Sequence, residues 1–496
     1  MQYISTRGNN EAVSSAEAIK IGMVPAGGLF VPQSIPSIEK GFLSEISGMD
    51  YRQLSLEIFK LFLTDYTSEE IKECIDAAYN IENFDHPDIA PLVKNGDVHI
   101  LELWHGPTAA FKDMALQILP HLLVKAMKKT DTKKEVVILV ATSGDTGKAA
   151  LEGFKNVPGT KVICFFPYRA VSKIQELQMT TTDGDNTYVV AVKGNFDDCQ
   201  TAVKNIFRNS DFIEATSQSG YELSSANSIN WGRLLPQIVY YFWAYAQLLK
   251  NKEIEAGDTI NAVVPTGNFG NILAAYFALK MGLPINKLIC ASNSNNVLTD
   301  FLATGVYNKN RDFHQTMSPS MDILISSNLE RFLFDILGND ATKVAHMYEE
   351  LDLHGEYKIS EATLQQMKDI MEGGCADEND TLNAIKNVFE SSGYVLDPHT
   401  AVGYHVWQQY RNRTKDNTPT ILTATANPYK FNASVLKAIS NGKTYVDEFA
   451  MVEELHHLTK LPVHRALDNL QNKAVLHVEV TIPQSLQDVV ENILKI

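Results

Sequence analysis

Between residues 135 and 423 the sequence repeatedly alternates a short, mainly apolar run with a longer stretch of helical character. The apolar runs lie at 135–140, 162–166, 187–192, 260–264, 287–291 and 418–423. A run that is apolar on both faces is typical of a fully buried strand, and parallel strands need helical connections. The pattern therefore predicts an α/β fold with helices covering both faces of a parallel sheet.

The two ends of the chain differ from this alternating core. Residues 51–64 and 68–78 carry apolar positions at helical spacing, so the first hundred residues are predicted to be mainly helical. A segment rich in Pro and Asp then leads into a strand candidate at 98–103. We place a domain boundary near residue 95. After Asp447 the sequence predicts one helix and a short peripheral strand at 475–482.

Composition excludes several classes of function. The 496 residues carry a net charge of −16, which argues against a nucleic-acid-binding surface. The N-terminus has no signal-peptide pattern, and the longest apolar stretch, 238–249, is too short to span a bilayer. The five cysteines form no CxxC pair. We therefore expect a cytoplasmic protein without disulfides, structural zinc or any other metal site.

One lysine, Lys112, stands among apolar residues in the segment 108–116. Burial disfavours the charged ammonium, so its pKa is expected to fall and leave free amine at neutral pH. A free amine is what a Schiff-base catalyst needs. The alternative is an ordinary amphipathic helix from which the charged end of the lysine reaches solvent.

Two glycine-rich loops each follow a strand candidate and open a helix. In the loop 267–271, two glycines allow a sharp turn and expose backbone N–H groups where the helix dipole also favours an anion. The residues of this candidate phosphate site are Gly267, Asn268, Phe269, Gly270 and Asn271. A plain strand-to-helix turn is the alternative. A phosphate loop together with a neutral lysine suggests pyridoxal phosphate.

The second loop, 142–148, superficially resembles a nucleotide-binding P-loop. Its glycines are too close together, and Ala149 stands where that motif has a magnesium-binding hydroxyl, which argues against an ATP-binding enzyme. Its hydroxyl-rich turn could still bind a carboxylate or phosphate.

A further group of polar donors at 224–233, ending in Arg233, precedes an apolar helix predicted to begin near Leu234. Helix capping explains one or two of these side chains, and we favour anion recognition for the set. Thr425 ends a late strand, where its hydroxyl could contact a ligand or make a local turn bond.

The segment 105–113, His-Gly-Pro-Thr-Ala-Ala-Phe-Lys-Asp, is similar to the cofactor-lysine signature of the threonine synthase family. Further matches keep their order along nearly the whole chain, at 3–8, 27–32, 143–147, 225–230, 318–323 and 397–401. The chain thus resembles the fold type II pyridoxal-phosphate enzymes, whose fold is similar to that of the tryptophan synthase β subunit. The resemblance implies parallel or mixed sheets flanked by helices and a mainly helical N-terminal domain.

The division of the chain that we predict is an N-terminal domain at 1–95, a cofactor-binding core at 96–440 with a cleft between two α/β subdomains, and a peripheral element at 441–496. The resemblance implies a lyase that converts O-phospho-L-homoserine and water to L-threonine and phosphate, the last step of threonine biosynthesis. A related phospho-lyase or dehydratase releasing 2-oxobutyrate is the alternative, and a non-catalytic interaction protein is a further one. We expect a small-molecule substrate as the partner and no binding to membranes or nucleic acids. The expected assembly is a monomer or a homodimer.

The resemblance also implies roles for single residues. Lys112 would form the Schiff base with pyridoxal phosphate and shuttle protons, with Phe111 beside it. Asp145 would lie near the pyridoxal O3′, residues 267–271 would hold the cofactor phosphate, and Thr425 would face the pyridine nitrogen. The implied substrate contacts are Thr142, Ser143, Thr146, Asn227, Ser228 and Arg233.

The sequence departs from the family pattern beside Thr425. Many members have His where this chain has Asn427, and commonly Ala where it has Tyr429. Ala26 also replaces a frequent acidic residue before two glycines, a change that we expect to be silent.

Overall fold

The computed structural model describes residues 1–142, 144–440 and 442–496, apart from the side chain of Asp197. A six-stranded sheet forms the centre of the large lobe (residues 84–130 and 225–474). Five of its strands are parallel, and Leu92–Asn95 is an antiparallel edge strand. The strand order is Met371–Cys375, Ile285–Ser292, Ile260–Pro265, Thr420–Ala424, Val98–Glu102 and Leu92–Asn95.

A second, five-stranded sheet forms the centre of the small lobe (residues 131–224 and 475–496), and its strands are all parallel. The strand order is Val480–Thr481, Thr187–Val192, Thr160–Pro167, Glu135–Ala141 and Tyr221–Ser224. Two short antiparallel pairs lie outside both sheets. They are Tyr3–Ser5 with Phe30–Pro32, and Val306–Asn308 with Glu356–Lys358.

Helices cover both sheets and make up most of the N-terminal region, as the spacing of apolar residues predicts. The N-terminal helices are Ser15–Ile21, Phe42–Glu45, Tyr51–Phe62 and Ser68–Ala78. The next are Asp113–Leu116, Leu119–Lys129, Asp145–Phe154, Lys173–Thr180, Phe196–Arg208, Ser210–Gln218 and Trp231–Lys250. The last are Gly270–Met281, Val297–Thr304, Leu329–Ile336, Ala341–His354, Glu361–Ile370, Glu378–Ser392, Pro398–Thr414, Asn432–Ile439, Glu448–Thr459 and Leu486–Leu494.

The six apolar runs and the candidate at 98–103 all form strands, and they divide between two sheets. Strands Tyr221–Ser224 and Met371–Cys375 were not predicted, since the first is short and partly polar and the second contains two glycines. The strand predicted at 475–482 is reduced to Val480–Thr481. Only these two residues pair with the small-lobe sheet, opposite Ala191 and Val192.

The helix Trp231–Lys250 is buried along nearly its whole length and runs through the main core. It begins three residues before the predicted start, because Asn230 caps it by accepting a hydrogen bond from the N–H of Gly232 at 2.8 Å. Arg233 therefore lies inside its first turn. Among the described residues, no helix combines the length and apolarity that crossing a bilayer would require.

Candidate active site

The predicted site residues lie where strands of both sheets end. Thr142 follows Glu135–Ala141 of the small lobe, Gly267 follows Ile260–Pro265 and Thr425 follows Thr420–Ala424. Because parallel strands share one carboxyl edge, these loops meet around a cleft of about 960 Å³. The predicted residues that line it are Phe111, Lys112, Thr142, Thr146, Asn227, Ser228, Arg233, Gly267, Asn268, Phe269, Gly270, Asn271 and Thr425. Ser143 lies outside the described residues. Asp145 is not among the residues that line the cleft, but it lies close to the Lys112 amine.

Lys112 immediately precedes the short helix Asp113–Leu116. The N–H of Phe111 donates to the carbonyl of Thr425 at 2.8 Å, which fixes this segment against the end of a central strand. The side chain of Lys112 is 12% exposed, and its Nζ lies 3.5 Å from Ser320 Oγ. Burial is the largest influence on this amine and lowers its pKa to about 8. A sizeable neutral fraction is therefore present near neutral pH.

Asp145 is the charged residue nearest to the Lys112 amine on the small-lobe side. Its Oδ2 lies 3.9 Å from Lys112 Nζ, and its Oδ1 accepts a hydrogen bond from Gln175 Nε2 at 3.0 Å. Burial alone would raise the pKa of this carboxyl, but Lys430 and Lys112 together hold it well below its usual range. Asp145 is therefore ionised at any pH at which the protein works.

The loop 267–271 approaches its surroundings too closely for a larger first residue. A Cβ on Gly267 would lie 2.7 Å from the carbonyl oxygen of Ser320. Phe269 adopts a left-handed backbone with φ of 61°, after which Gly270–Met281 begins. Among the side chains that the structure describes, none caps this helix. Its first N–H groups thus remain available to an anion in the cleft.

Asn271, in the first turn of the same helix, is held by two tyrosines. Its Oδ1 accepts hydrogen bonds of 2.6 Å from the hydroxyls of Tyr240 and Tyr241. Its Nδ2 is buried and has no hydrogen-bond partner among the residues that the structure describes. A buried donor without a partner is costly, so this amide is suited to a ligand in the cleft.

Arg233 brings a buried cation to the cleft. The residue is 3% exposed, and its Nη1 donates to the carbonyl of Ala226 at 2.6 Å. Within the described part of the chain, its Nε has no hydrogen-bond partner. Burial lowers the pKa of the guanidinium to about 10, so it stays charged. Asn227 and Ser228 line the cleft nearby, and Ser228 Oγ lies 3.5 Å from Ser327 Oγ.

Thr142 lines the cleft and also stabilises the loop that follows it. Its Oγ1 accepts hydrogen bonds from the N–H groups of Gly144 and Gly147, both at 2.9 Å. The hydroxyl therefore shapes the loop and keeps its proton for one further acceptor. Thr146 lies in the first turn of the helix that follows.

The two departures from the family pattern have local roles. Asn427 Oδ1 accepts a hydrogen bond from the N–H of Tyr429 at 3.0 Å, which caps the short turn after the strand. The hydroxyl of Tyr429 donates to the carbonyl of Leu461 in the C-terminal segment. Neither side chain is among those that line the cleft.

Among the cleft residues that the sequence did not single out, those with polar side chains near Lys112 or its neighbours include Gln175, Ser320, His399 and Lys430. The sequence around Lys430 could have indicated a buried lysine, because Lys430 stands between Tyr429 and Phe431 much as Lys112 stands among apolar residues. Ser320 and His399 lie in segments that match the family pattern, but that match gave them no role. Gln175 has no signal beyond its place near the start of a helix.

Comparison with known proteins identifies the family. Three family models match this chain: "Threonine synthase N terminus" at residues 2–79, "Pyridoxal-phosphate dependent enzyme" at 84–425 and "Threonine synthase, C-terminal" at 400–482. The threonine synthase of Pseudomonas aeruginosa is 38% identical over 440 residues, which cover 88% of this chain and 90% of that protein. The chain belongs to the threonine synthase family. The predicted family is therefore confirmed, and so is its dependence on pyridoxal phosphate.

Human threonine synthase-like 1 is 40% identical over 435 residues, which cover 86% of this chain. The chain spans 58% of the length of that human relative. Two crystal structures are similar over the full chain. Yeast threonine synthase superposes with a TM-score of 0.88 at 34% identity, covering 100% of this chain and 98% of its own. The pyridoxal-phosphate-bound enzyme of Brucella melitensis gives 0.87 at 34%, covering 100% and 99%. The predicted fold type II class is confirmed.

The residues of the cleft fit pyridoxal phosphate. Lys112 offers an amine of lowered pKa, and the uncapped helix at Gly270 offers N–H groups for a phosphate. The buried Nδ2 of Asn271 has no partner among the described residues. The backbone of Ser320 approaches Gly267 so closely that this position has no room for a side chain.

Proposed function

We propose that this protein catalyses the conversion of O-phospho-L-homoserine and water to L-threonine and inorganic phosphate, the last step of threonine biosynthesis. One observation supports it above all: a lysine amine of lowered pKa shares its cleft with two separate anion-binding features. These are the uncapped helix at Gly270 and the buried guanidinium of Arg233. The reaction needs two such features, one for the phosphate of the cofactor and one for the phosphate of the substrate.

The reaction removes phosphate from Cγ, two bonds from the carbon that bears the amino group, and then adds water at Cβ. When bound, pyridoxal phosphate supplies an electron sink that stabilises negative charge at the substrate carbons. The chain must supply the proton transfers. We assign them to Lys112, whose amine has a pKa of about 8 and so can both take and return a proton near neutral pH.

For the cofactor, we propose that Lys112 makes the covalent link while Gly267, Asn268, Phe269, Gly270 and Asn271 hold the phosphate group. Phe111 would also contact the cofactor, Asp145 would lie near its O3′, and Thr425 would face the ring nitrogen. A neutral hydroxyl there cannot hold a full proton on the ring as a carboxylate could. The hydrogen bond between Phe111 and Thr425 holds the segment of Lys112 against the end of the strand that precedes Thr425.

For the substrate, we propose contacts from Thr142, Ser143, Thr146, Asn227, Ser228 and Arg233. Arg233 has the strongest support, because its Nε lacks a protein partner and its planar fork donates two parallel hydrogen bonds to an oxyanion. Its position in the first turn of a buried helix keeps the charge fixed while the substrate changes. The phosphate is thereby held as it leaves.

The enzyme acts on a small molecule, and we propose a cytoplasmic monomer or homodimer as its working form. The five cysteines are free, and all but Cys375 are buried. That usage supports a reducing compartment.

The decisive experiment incubates the purified protein with pyridoxal phosphate and O-phospho-L-homoserine and measures phosphate, threonine and 2-oxobutyrate together. Phosphate and threonine are expected in equal amounts. Phosphate matched by 2-oxobutyrate would instead assign the protein to the phospho-lyases or dehydratases that release a keto acid. No product at all would refute the proposal.

The same assay tests the role of Lys112. Lys112→Ala should abolish turnover, and borohydride should fix the cofactor to Lys112 in the unchanged protein. Lys128→Ala, which removes an exposed lysine from the helix Leu119–Lys129, is the matched control and should keep full activity. Full turnover by Lys112→Ala without added amine would overturn the mechanism.

A further inference from the structure

A second lysine, Lys430, lies behind the Lys112 amine and is completely buried. Its side chain has no exposed surface. Its Nζ contacts Asp145 Oδ1 at 2.7 Å and donates to the carbonyl of Thr108 at 2.9 Å. A charge this deeply buried is tolerated only with an opposite charge and satisfied hydrogen bonds, and Lys430 has both.

The carboxylate of Asp145 is shared between two lysines. Oδ1 faces Lys430 and Oδ2 faces Lys112, at 3.9 Å from its Nζ. Gln175 Nε2 adds a neutral donor to Oδ1 at 3.0 Å. Of the two lysines, Lys112 reaches the solvent side of the cleft, while Lys430 is enclosed. The pair Asp145–Lys430 therefore presents almost no net charge to the Lys112 amine.

The other charged groups near Lys112 shift the pKa of its amine in opposite directions. Arg233 lowers the pKa of this amine, and Asp113 raises it. After burial, which is the largest influence, Asp145 raises the pKa and Lys430 lowers it. If Lys430 lost its charge, the carboxylate of Asp145 would act on Lys112 alone and would favour the ammonium form.

We propose that Lys430 is the countercharge of Asp145 and thereby makes it easier for the Lys112 amine to lose its proton. This inference rests on the proposed role of Lys112 as the Schiff-base lysine. Lys430 is a positioning residue, since it acts through Asp145 and is enclosed away from the solvent side of the cleft. Because Lys430 balances the charge of Asp145, this carboxylate can lie beside the Lys112 amine without making that amine strongly basic.

The test measures how fast the full-length chain, stripped of cofactor, captures added pyridoxal phosphate as the pH is varied. Capture needs the neutral amine, so the midpoint of the rate profile reports the Lys112 pKa. Lys430→Met should move this midpoint upward by about 1–3 pH units, the usual effect of an unopposed charge at this distance. Lys437→Met, an exposed lysine on the next helix, is the matched control and should leave the midpoint unchanged.

A second pair of variants guards against loss of folding in Lys430→Met. Asp145→Asn should lower the midpoint, because the charge of Lys430 is then unopposed. Adding Lys430→Met to Asp145→Asn should bring the midpoint back up towards the value of the unchanged protein. A purely structural role for Lys430 predicts lower stability without these opposite shifts. An Asp145→Asn midpoint that does not move, or does not rise again in the double variant, refutes the proposal.

Failure of this inference can be told apart from failure of the proposed function. If borohydride fixes the cofactor to Lys112 and the midpoints of the variants do not move, only the role of Lys430 is wrong. If no cofactor is fixed to Lys112 in the unchanged protein, the Schiff-base assignment itself is wrong.

Discussion

The backbone N–H of Ser320 donates to Nε2 of His399 at 3.2 Å. This bond fixes the tautomer of the imidazole, because Nε2 must accept and Nδ1 must then carry the proton that it donates to Asp397 Oδ1 at 2.8 Å. Ser320 is held in this way with its Oγ 3.5 Å from Lys112 Nζ and its carbonyl against Gly267. A histidine far from Lys112 in sequence thus supports the segment that lies against both the Lys112 amine and the loop 267–271.

His399→Ala should destabilise the protein, because it removes the acceptor of the Ser320 N–H and one of the hydrogen-bond donors to the buried carboxylate of Asp397. Such a loss costs about 1–3 kcal/mol, visible as a lower urea midpoint of the cofactor-loaded protein. His399→Gln keeps an acceptor and should recover part of it. His405→Ala, on the same helix with a partly exposed ring, is the control. Equal midpoints for His399→Ala and His405→Ala would show that the bond contributes nothing.

Arg233→Met should weaken the binding of O-phospho-L-homoserine and of inorganic phosphate as a competing product. Loss of a charged hydrogen bond costs about 1.5–3 kcal/mol, which corresponds to a roughly 10- to 150-fold higher KM or inhibition constant. Arg52→Met provides the comparison, since Arg52 also lies in the first turn of a helix but is half exposed. Unchanged phosphate inhibition in Arg233→Met would remove this residue from the substrate site.

The rate at which the cofactor-free protein captures pyridoxal phosphate should depend on pH through Lys112. Its pKa is lowered to about 8 by burial, so the neutral amine predominates above that pH and is lost below it. The rate should fall about tenfold for each pH unit below the midpoint and level off above it. Absorbance after rapid mixing measures it. A rate still rising well above the midpoint would indicate an amine with the pKa of an ordinary exposed lysine.

Gly267→Ala should weaken cofactor binding without unfolding the protein. The added Cβ would lie 2.7 Å from the backbone oxygen of Ser320, so the loop must move away from it. Overpacking of this kind costs about 1–3 kcal/mol, and we expect about tenfold or greater loss of pyridoxal phosphate affinity in a fluorescence titration. Gly48→Ala meets open space and is the control. Equal affinities for the two variants would mean that the close approach is unimportant.

The sequence was sufficient to predict most strands of the two sheets and the loops that follow them, because both depend on local pattern. Apolar runs mark the strands, and glycines before an apolar run mark the loop at 267–271. The short strand at 475–482 was overestimated for the same reason. Its alternating apolar residues satisfy the local pattern, yet Val475, Leu476 and Val478 are largely exposed and only Val480–Thr481 meets a neighbouring strand.

What the sequence could not supply is how residues distant in the chain meet. The Lys112 amine contacts Ser320, more than two hundred residues later, and the bond from Ser320 to His399 spans a further large separation. The argument applied to Lys112 also fits Lys430, since both lysines sit among apolar neighbours. Only the fold shows that both lysines meet the carboxylate of Asp145 and that the side chain of Lys430 is fully enclosed while that of Lys112 is partly exposed.

The contact between Asp145 and Lys430 also joins the two lobes and should restrict how they can move. Asp145 is the first residue of a small-lobe helix, and Lys430 follows the strand Thr420–Ala424 of the large lobe. Pulling the lobes apart there would separate opposite charges in a space that water hardly reaches, whereas swivelling about that point keeps them together. A movement of the lobes that preserves this ion pair would therefore leave the surroundings of the Lys112 amine nearly unchanged.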